Sequence, residues 1–235
     1  MLAICGGLMR TGSLAMFQIM REIVEVRGAG FAPVLEHGNE GEHFDQECCR
    51  WACQPEVFVT KLHTYRDSLA CENSQCEFGS PRIKVVMTIR DIRDVMVSLI
   101  HFKNSTFDSE LHARAYTNFS NEYHRWVDHI PAENLLIVKY EDMITDRFTT
   151  VLQVARFLDL ALNAPEAKAI DRKWDITANV ERAKAGHAIS SKDFMSPRHI
   201  YKGQADVWQE ELTEEQIKQV EDDHWDFLVE NGYCA

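Results

Sequence analysis

Cys5-Gly-Gly-Leu-Met-Arg-Thr-Gly-Ser-Leu14 lies between an apolar opening, Met1–Ile4, and the helical pattern of Ala15–Val24. A short buried strand, a glycine-rich turn and a helix start form the local architecture of a phosphate cradle. Gly6, Gly7 and Gly12 let the backbone fold tightly with its N–H groups turned inward. The helix start adds unpaired N–H groups and partial positive charge. Arg10 supplies a permanent cation, and Thr11 and Ser13 supply hydroxyl donors. The stretch departs from Gly-x4-Gly-Lys-[Ser/Thr], because no lysine follows Gly12 and the cation stands two residues before it. It reads as a site for a nucleotide-like anion other than ATP with magnesium.

Outward from this stretch, strands and helices alternate. Residues 1–6 read as a strand and 11–27 as a helix, with Met16, Ile19, Met20, Ile23 and Val24 on one face. Residues 28–45 read as a loop and 46–53 as a short helix. Pro55 opens a strand over Glu56–Leu62, and 64–81 is mixed. Lys84–Ile89 is a nearly continuous apolar run, typical of a strand covered on both faces. Helices follow over Asp91–Phe102 and Glu110–Ile130, the second carrying Tyr116, Phe119, Tyr123 and Trp126. Leu135–Lys139 is a further buried strand, and Asp146–Leu160 and Ala164–Trp174 are helical. Residues 184–207 are polar, irregular and cationic. Thr213–Asn231 is a last helix, with Thr213 as N-cap and Gly232 beyond its end. This alternation predicts an α/β layer fold around a mainly parallel sheet. The loops after its strands should share one rim, and the Arg10 loop, His63 and Arg90 all fall just after predicted strands.

Composition narrows the function. The 235 residues, 45% hydrophobic, suit one domain over 1–235. No run of eighteen apolar residues predicts a membrane span, and no basic flank before the first apolar run predicts a secretory signal. A net charge of −12 argues against nucleic-acid binding, so an anionic ligand must be held by a local basic cluster. Seven cysteines, an odd number, suit a reducing cytoplasm. Cys48, Cys49, Cys53, Cys71 and Cys76, with His37 and His43 near, lack the paired spacing of zinc sites. They read as ordinary thiols, and no metal is expected.

Three groups carry chemistry. Arg90 ends a strand, and Arg93 and Ser98 lie in the next turns. Arginine forks suit a dianionic phosphate, although a surface helix with Asp–Arg pairs worth about 0.3–0.5 kcal/mol explains the motif equally well. Alternation puts Lys61 and His63 on one side of their strand, with Leu62 opposite. A cation and an imidazole there suit an anionic leaving group and a proton acceptor. A lone histidine is more often structural, and Lys61 and the rim position weigh against that. Tyr201-Lys202-Gly203, with Trp208, reads as a lid over a phosphate or as a solvated loop.

Together these stretches resemble the sulfotransferase family that uses 3′-phosphoadenylyl sulfate (PAPS). Met9–Leu14 resembles its 5′-phosphosulfate loop, Pro-Lys-Ser-Gly-Thr-Thr, and residues 90–102 closely resemble its 3′-phosphate motif. Lys61-Leu-His63 is similar to its Lys-Thr-His. Leu135–Met143, with Tyr140, looks like its strand before the adenine pocket, and Lys202-Gly203 with Trp208 resembles its closing loop. The resemblance runs in order over nearly the whole chain. It implies a three-layer P-loop-like fold and transfer of a sulfuryl group from PAPS, leaving PAP, to a hydroxyl or amine of a small acceptor. His63 is then the general base, with Lys61 and Arg10 stabilising charge. Arg10, Thr11, Gly12, Ser13 and Leu14 bind the 5′ end, Arg90, Ser98, Lys202 and Gly203 the 3′-phosphate, and Tyr140 the adenine side. The chain departs from the family pattern in several places. Arg10 stands for lysine, Ala15 for a tryptophan, Asn179 near an expected aromatic with Trp174 as a substitute, and Tyr201 for an arginine. Asp206-Val207 replaces Gly-Asp, and neither the N-terminal extension of larger relatives nor the family's dimer signature is matched. The rival readings are a P-loop phosphotransferase of a small substrate, which needs the missing lysine, and a non-catalytic nucleotide-binding module. They part from the first on whether His63 faces the anion loop.

Overall fold

The computed structural model describes residues 1–32, 42–66, 80–107, 117–184 and 202–234. Its frame is a sheet of β1 (Leu2–Gly7), β2 (Gly30–Phe31), β3 (Val57–Lys61), β4 (Ile83–Ile89) and β5 (Leu135–Lys139). The order is β2-β3-β1-β4-β5 and every neighbouring pair is parallel, which sharpens the mainly parallel expectation. Strand alternation sorts the core into two layers. Leu2 and Ile4 of β1, and Ile83, Val85, Met87 and Ile89 of β4, pack on one face. Ala3 and Cys5, with Val86 of β4 and Val138 of β5, pack on the other.

The first face is covered by α2 (Glu42–Ala52), α3 (Ile92–Lys103) and α4 (Phe119–His129), with α10 (Glu214–Glu230) packed beyond. The second is covered by α1 (Ser13–Val26), α6 (Arg147–Phe157) and α7 (Ala164–Lys173). The short helices α5 (Tyr140–Thr145), α8 (Ile176–Lys184) and α9 (Trp208–Glu211) complete the described chain.

Several helix starts follow from single side chains. Asp91 caps α3 by accepting from the Arg93 amide, and Asp146 caps α6 by accepting from Thr149. Thr213 and Gln216 form a reciprocal capping box on α10, so Thr213 is the N-cap that its position predicts. The differences from the sequence reading are local. β2 lies in the predicted loop 28–45, α2 begins at Glu42 rather than residue 46, and α5, α8 and α9 were not foreseen. The described part of the predicted 110–130 helix is Phe119–His129. Of the polar stretch 184–207, residues 185–201 lie outside the described residues. No described helix is long and apolar enough to cross a membrane.

Candidate active site

Strand order makes the site. β1 lies between β3 and β4, with Cys5 level with Lys61 and Gly7 level with Thr88. β5 follows on, with Lys139 level with Ile89. The segments after β1, β3, β4 and β5 therefore emerge along one carboxyl edge, as the parallel topology requires. Gly7, at φ 139, comes so close to Thr88 that a Cβ would lie 2.4 Å from its Oγ1. Thr11 donates its hydroxyl to the Leu8 carbonyl at 2.7 Å. Its only hydroxyl hydrogen is then used, so Thr88 donates to Thr11 across their 2.9 Å contact. Thr11 thus closes the loop on itself instead of turning its hydroxyl outward. Arg10 and Gly12 both adopt left-handed backbone, at φ 70 and φ 85. No side chain caps α1 at Gly12, so the helix start offers the uncapped amides and partial positive charge that suit an anion.

The cationic side is built from two arginines. The Arg90 guanidinium lies 4.2 Å from the Tyr140 ring centroid. Its Nη2 donates to Asp94 Oδ2 at 3.1 Å and to the Gln204 carbonyl at 2.9 Å. Its Nε is buried with no hydrogen-bond partner among the described residues, an unmet donor that an anion would satisfy. Arg10 donates from Nε to Ser98 Oγ at 2.9 Å and lies 4.5 Å from the Phe102 ring centroid. Burial first, and the nearby Arg90 charge second, bring its pKa from 12.5 to about 10. Arg10 and Ser98, expected at opposite ends of the nucleotide, are direct partners.

His63 meets the loop. Its Nδ1 is 3.0 Å from the Gly7 carbonyl, and its Nε2 is 2.7 Å from Lys61 Nζ. A carbonyl only accepts and an ammonium only donates, so Nδ1 carries the proton and Nε2 keeps its lone pair. The imidazole is therefore neutral, with its basic nitrogen held by a cation.

Other candidates play different parts. Tyr140 is buried, which raises its pKa, and it forms both the platform under Arg90 and the wall beside Gly12. Ser13 is buried and accepts from the Cys5 thiol through its carbonyl, and Leu14 is half-buried. Lys202 is turned to Glu211, at 2.8 Å, and to Glu210, at 3.3 Å. Gly203, at φ 67, packs on Val180 and Ile176 of α8. Arg93 is buried in the fold, donating to Asp91, Glu221 and the Tyr233 carbonyl and stacking 3.9 Å from the Trp208 ring. The Asp–Arg pairs of the 90–98 motif do form, Arg90 with Asp94 and Arg93 with Asp91, but on a buried helix rather than a surface one. Trp174 is buried in the core of the second face, as is Asn179 in the fold. Cys48 and Cys49 are core thiols and Cys53 is exposed. Cys71, Cys76, His37, Tyr116 and Tyr201 lie outside the described residues. Sequence reasoning missed Asp94, Thr88 and Phe102. For Asp94 the available signal was its spacing of four from Arg90 on one helix.

Comparison with known proteins bears on the family and the fold. The sulfotransferase domain family matches residues 7–224. The amine sulfotransferase of Oryctolagus cuniculus is 25% identical over 183 residues, covering 69% of this chain and 58% of that protein. Sulfotransferase 2A1 of Homo sapiens is 26% identical over 160 residues, covering 62% of this chain and 55% of that protein. The chain thus spans little more than half the length of these relatives. Among solved structures, mouse sulfotransferase SULT7A1 complexed with PAP superposes with a TM-score of 0.71 at 16% identity, covering 97% of this chain and 83% of that one. A retinol dehydratase in complex with androsterone and the inactive cofactor PAP superposes with a TM-score of 0.62 at 19% identity, covering 97% and 80%. Both carry the same three-layer P-loop-like fold.

Proposed function

The chain belongs to the sulfotransferase domain family, and from that membership we propose that it moves a sulfuryl group from PAPS to a hydroxyl or amine of a small acceptor. The observation that carries the proposal is the His63 Nδ1 bond to the Gly7 carbonyl at 3.0 Å. It joins a neutral base to the last residue of β1, where the anion loop begins and a nucleotide-binding module has no use for one. Structural neighbours named as PAP complexes support the donor, and one of them holds androsterone, which supports a small acceptor. The phosphotransferase alternative lacks the loop lysine on which it depends.

The residues fit PAPS. The unmet Arg90 Nε suits the 3′-phosphate, and the uncapped start of α1 suits the 5′ end, while Arg10 and Ser98 act together as one bonded pair. Gly12 and Tyr140 are in close approach there. PAPS supplies a sulfur–oxygen bond to phosphate that breaks as the bond from sulfur to the acceptor forms. Here His63 Nε2 takes the acceptor proton, while the Gly7 carbonyl holds its other nitrogen in the right tautomer. Lys61, released from Nε2 as the acceptor arrives, turns its charge to the departing oxygens, and Arg10 adds to it. Lys202 acts from the closing segment only by leaving Glu210 and Glu211. The reduced cysteines of the described chain suit a cytoplasmic enzyme.

The test starts with PAPS and a panel of phenols, alcohols and amines. With an active acceptor in hand, His63→Ala should lower turnover about 10²-fold or more and leave PAP affinity nearly intact. Parent turnover should rise with pH as the imidazole loses its second proton, because the neutral ring is the active form. Transfer by His63→Ala at the parent rate would assign the base elsewhere.

A further inference from the structure

Asp94 stands in the first turn of α3 and ties several groups together beside the site. Its side chain is 0% exposed. Oδ2 accepts from Arg90 Nη2 at 3.1 Å and from the Asp206 amide at 3.0 Å, and Oδ1 accepts from the Trp208 amide at 3.0 Å. One carboxylate on α3 therefore holds both the phosphate-facing arginine and the backbone of the closing segment. The segment reaches back independently, since the Gln204 carbonyl takes the same Nη2 at 2.9 Å. Asp206 is held in left-handed backbone, at φ 60, which presents two amides of the turn to one acceptor.

The consequence lies in what remains of Arg90. With Nη2 committed to Asp94 and Gln204, and the guanidinium plane fixed on Tyr140, the Nε edge is left unmet. Moving the 204–208 segment would rotate that edge, and loading the edge with an anion would tighten the segment. We propose that Asp94 is a positioning residue that makes Arg90 and the 204–208 segment one unit, so that recognition of a 3′-phosphate and seating of this segment are coupled. The 3′-phosphate rests on the functional reading above; the mechanical link does not.

Two measurements on Asp94→Asn separate these layers. Asparagine keeps the shape but loses the charge and one acceptor. Hydrogen exchange of the Asp206 and Trp208 amides, in protein without nucleotide, should speed up about tenfold or more. In calorimetry the preference for PAP over AMP should fall about tenfold with AMP affinity unchanged, a differential that general loosening would not produce. Exchange at both amides as slow as in the parent overturns the link. Equal losses for PAP and AMP overturn it too, because they report a damaged fold. If the parent itself prefers neither nucleotide, the PAPS reading fails, and the exchange measurement alone decides the link. Asp94→Glu keeps the charge but sets it one methylene out of place, and carries the same two readouts if Asp94→Asn does not fold.

Discussion

Gly12→Ala tests how rigid the phosphate loop is. Gly12 has φ 85 and ψ 8, a left-handed conformation that costs a residue with a Cβ about 1–2 kcal/mol. The added Cβ would also stand 2.7 Å from Cδ2 of Tyr140. That ring is buried and carries the Arg90 guanidinium 4.2 Å from its centroid, so it cannot yield without moving the arginine. Overpacking against a fixed neighbour adds about 1–3 kcal/mol, giving a total of about 2–5 kcal/mol. Gly28 supplies the reference, because it has φ 57 with nothing within 4 Å of its Cβ position. Gly28→Ala should therefore show the backbone part alone, about 1–2 kcal/mol. Urea unfolding with unchanged m-values measures both. A double-mutant cycle of Gly12→Ala with Tyr140→Leu should return a coupling of about 1–3 kcal/mol, the part due to the ring. If Gly12→Ala and Gly28→Ala cost the same and the cycle shows no coupling, Tyr140 is not a fixed wall and the argument fails.

Arg90→Ala should erase a PAP-over-AMP preference of at least about tenfold, or about 1.4 kcal/mol, in calorimetry; a retained preference would put the 3′-phosphate elsewhere. His224, buried and bonded to Ser120, has its pKa lowered by burial from 6.5 to about 4. The unfolded chain then takes up the proton first, so stability is full above about pH 6.5 and is lost as pH falls toward about 4. Allowing for solvent screening, the loss is about 1–2 kcal/mol; urea unfolding at several pH values should show a shallower slope for His224→Gln, and an equal slope would assign the loss to other groups. Arg10→Lys should make PAP binding weaken at a lower pH than in the parent, because lysine starts from about 10.4 and arginine from 12.5; a variant with the parent's pH profile would show that the site does not depress a cation there.

What could be read in advance was whatever one segment fixes by itself. The Lys84–Ile89 run is apolar because β4 is covered on both faces. The glycines of 6–12 mark close approaches and left-handed turns, and Thr213 caps a helix through local bonds. What escaped depends on distant partners. β2 has only two residues, and Gly30 is needed because a Cβ would meet the Val57 carbonyl, a fact with no periodicity to betray it. Tyr140 opens a helix directly after a strand, where the run of β5 gives no break. Arg10 and Ser98 lie 88 residues apart in sequence, so no pattern in either motif predicts their bond. Lys202 reads as a phosphate ligand by its place beside a glycine, and nothing in that pattern shows that it also pairs with Glu210 and Glu211 of α9. Asp94 announces its ion pair with Arg90 by spacing, yet its amide partners at Asp206 and Trp208 become visible only in three dimensions.

The exchange of lysine for Arg10 in the loop follows from the surroundings it meets. Burial, and then the neighbouring Arg90 charge, both disfavour a second cation, and together they bring Arg10 from 12.5 to about 10. Arginine absorbs this and stays charged at neutral pH. A lysine starts lower, from about 10.4, so the same burial and the same neighbouring charge would leave it closer to losing its proton beside the ligand. The planar guanidinium also gives Nε to Ser98 while its plane rests near Phe102; an ammonium, with no plane to stack and no fork, cannot hold that orientation with its remaining donors directed at an anion. Here the half-buried position of Arg10 and the charge of buried Arg90 favour the residue that holds its proton more firmly.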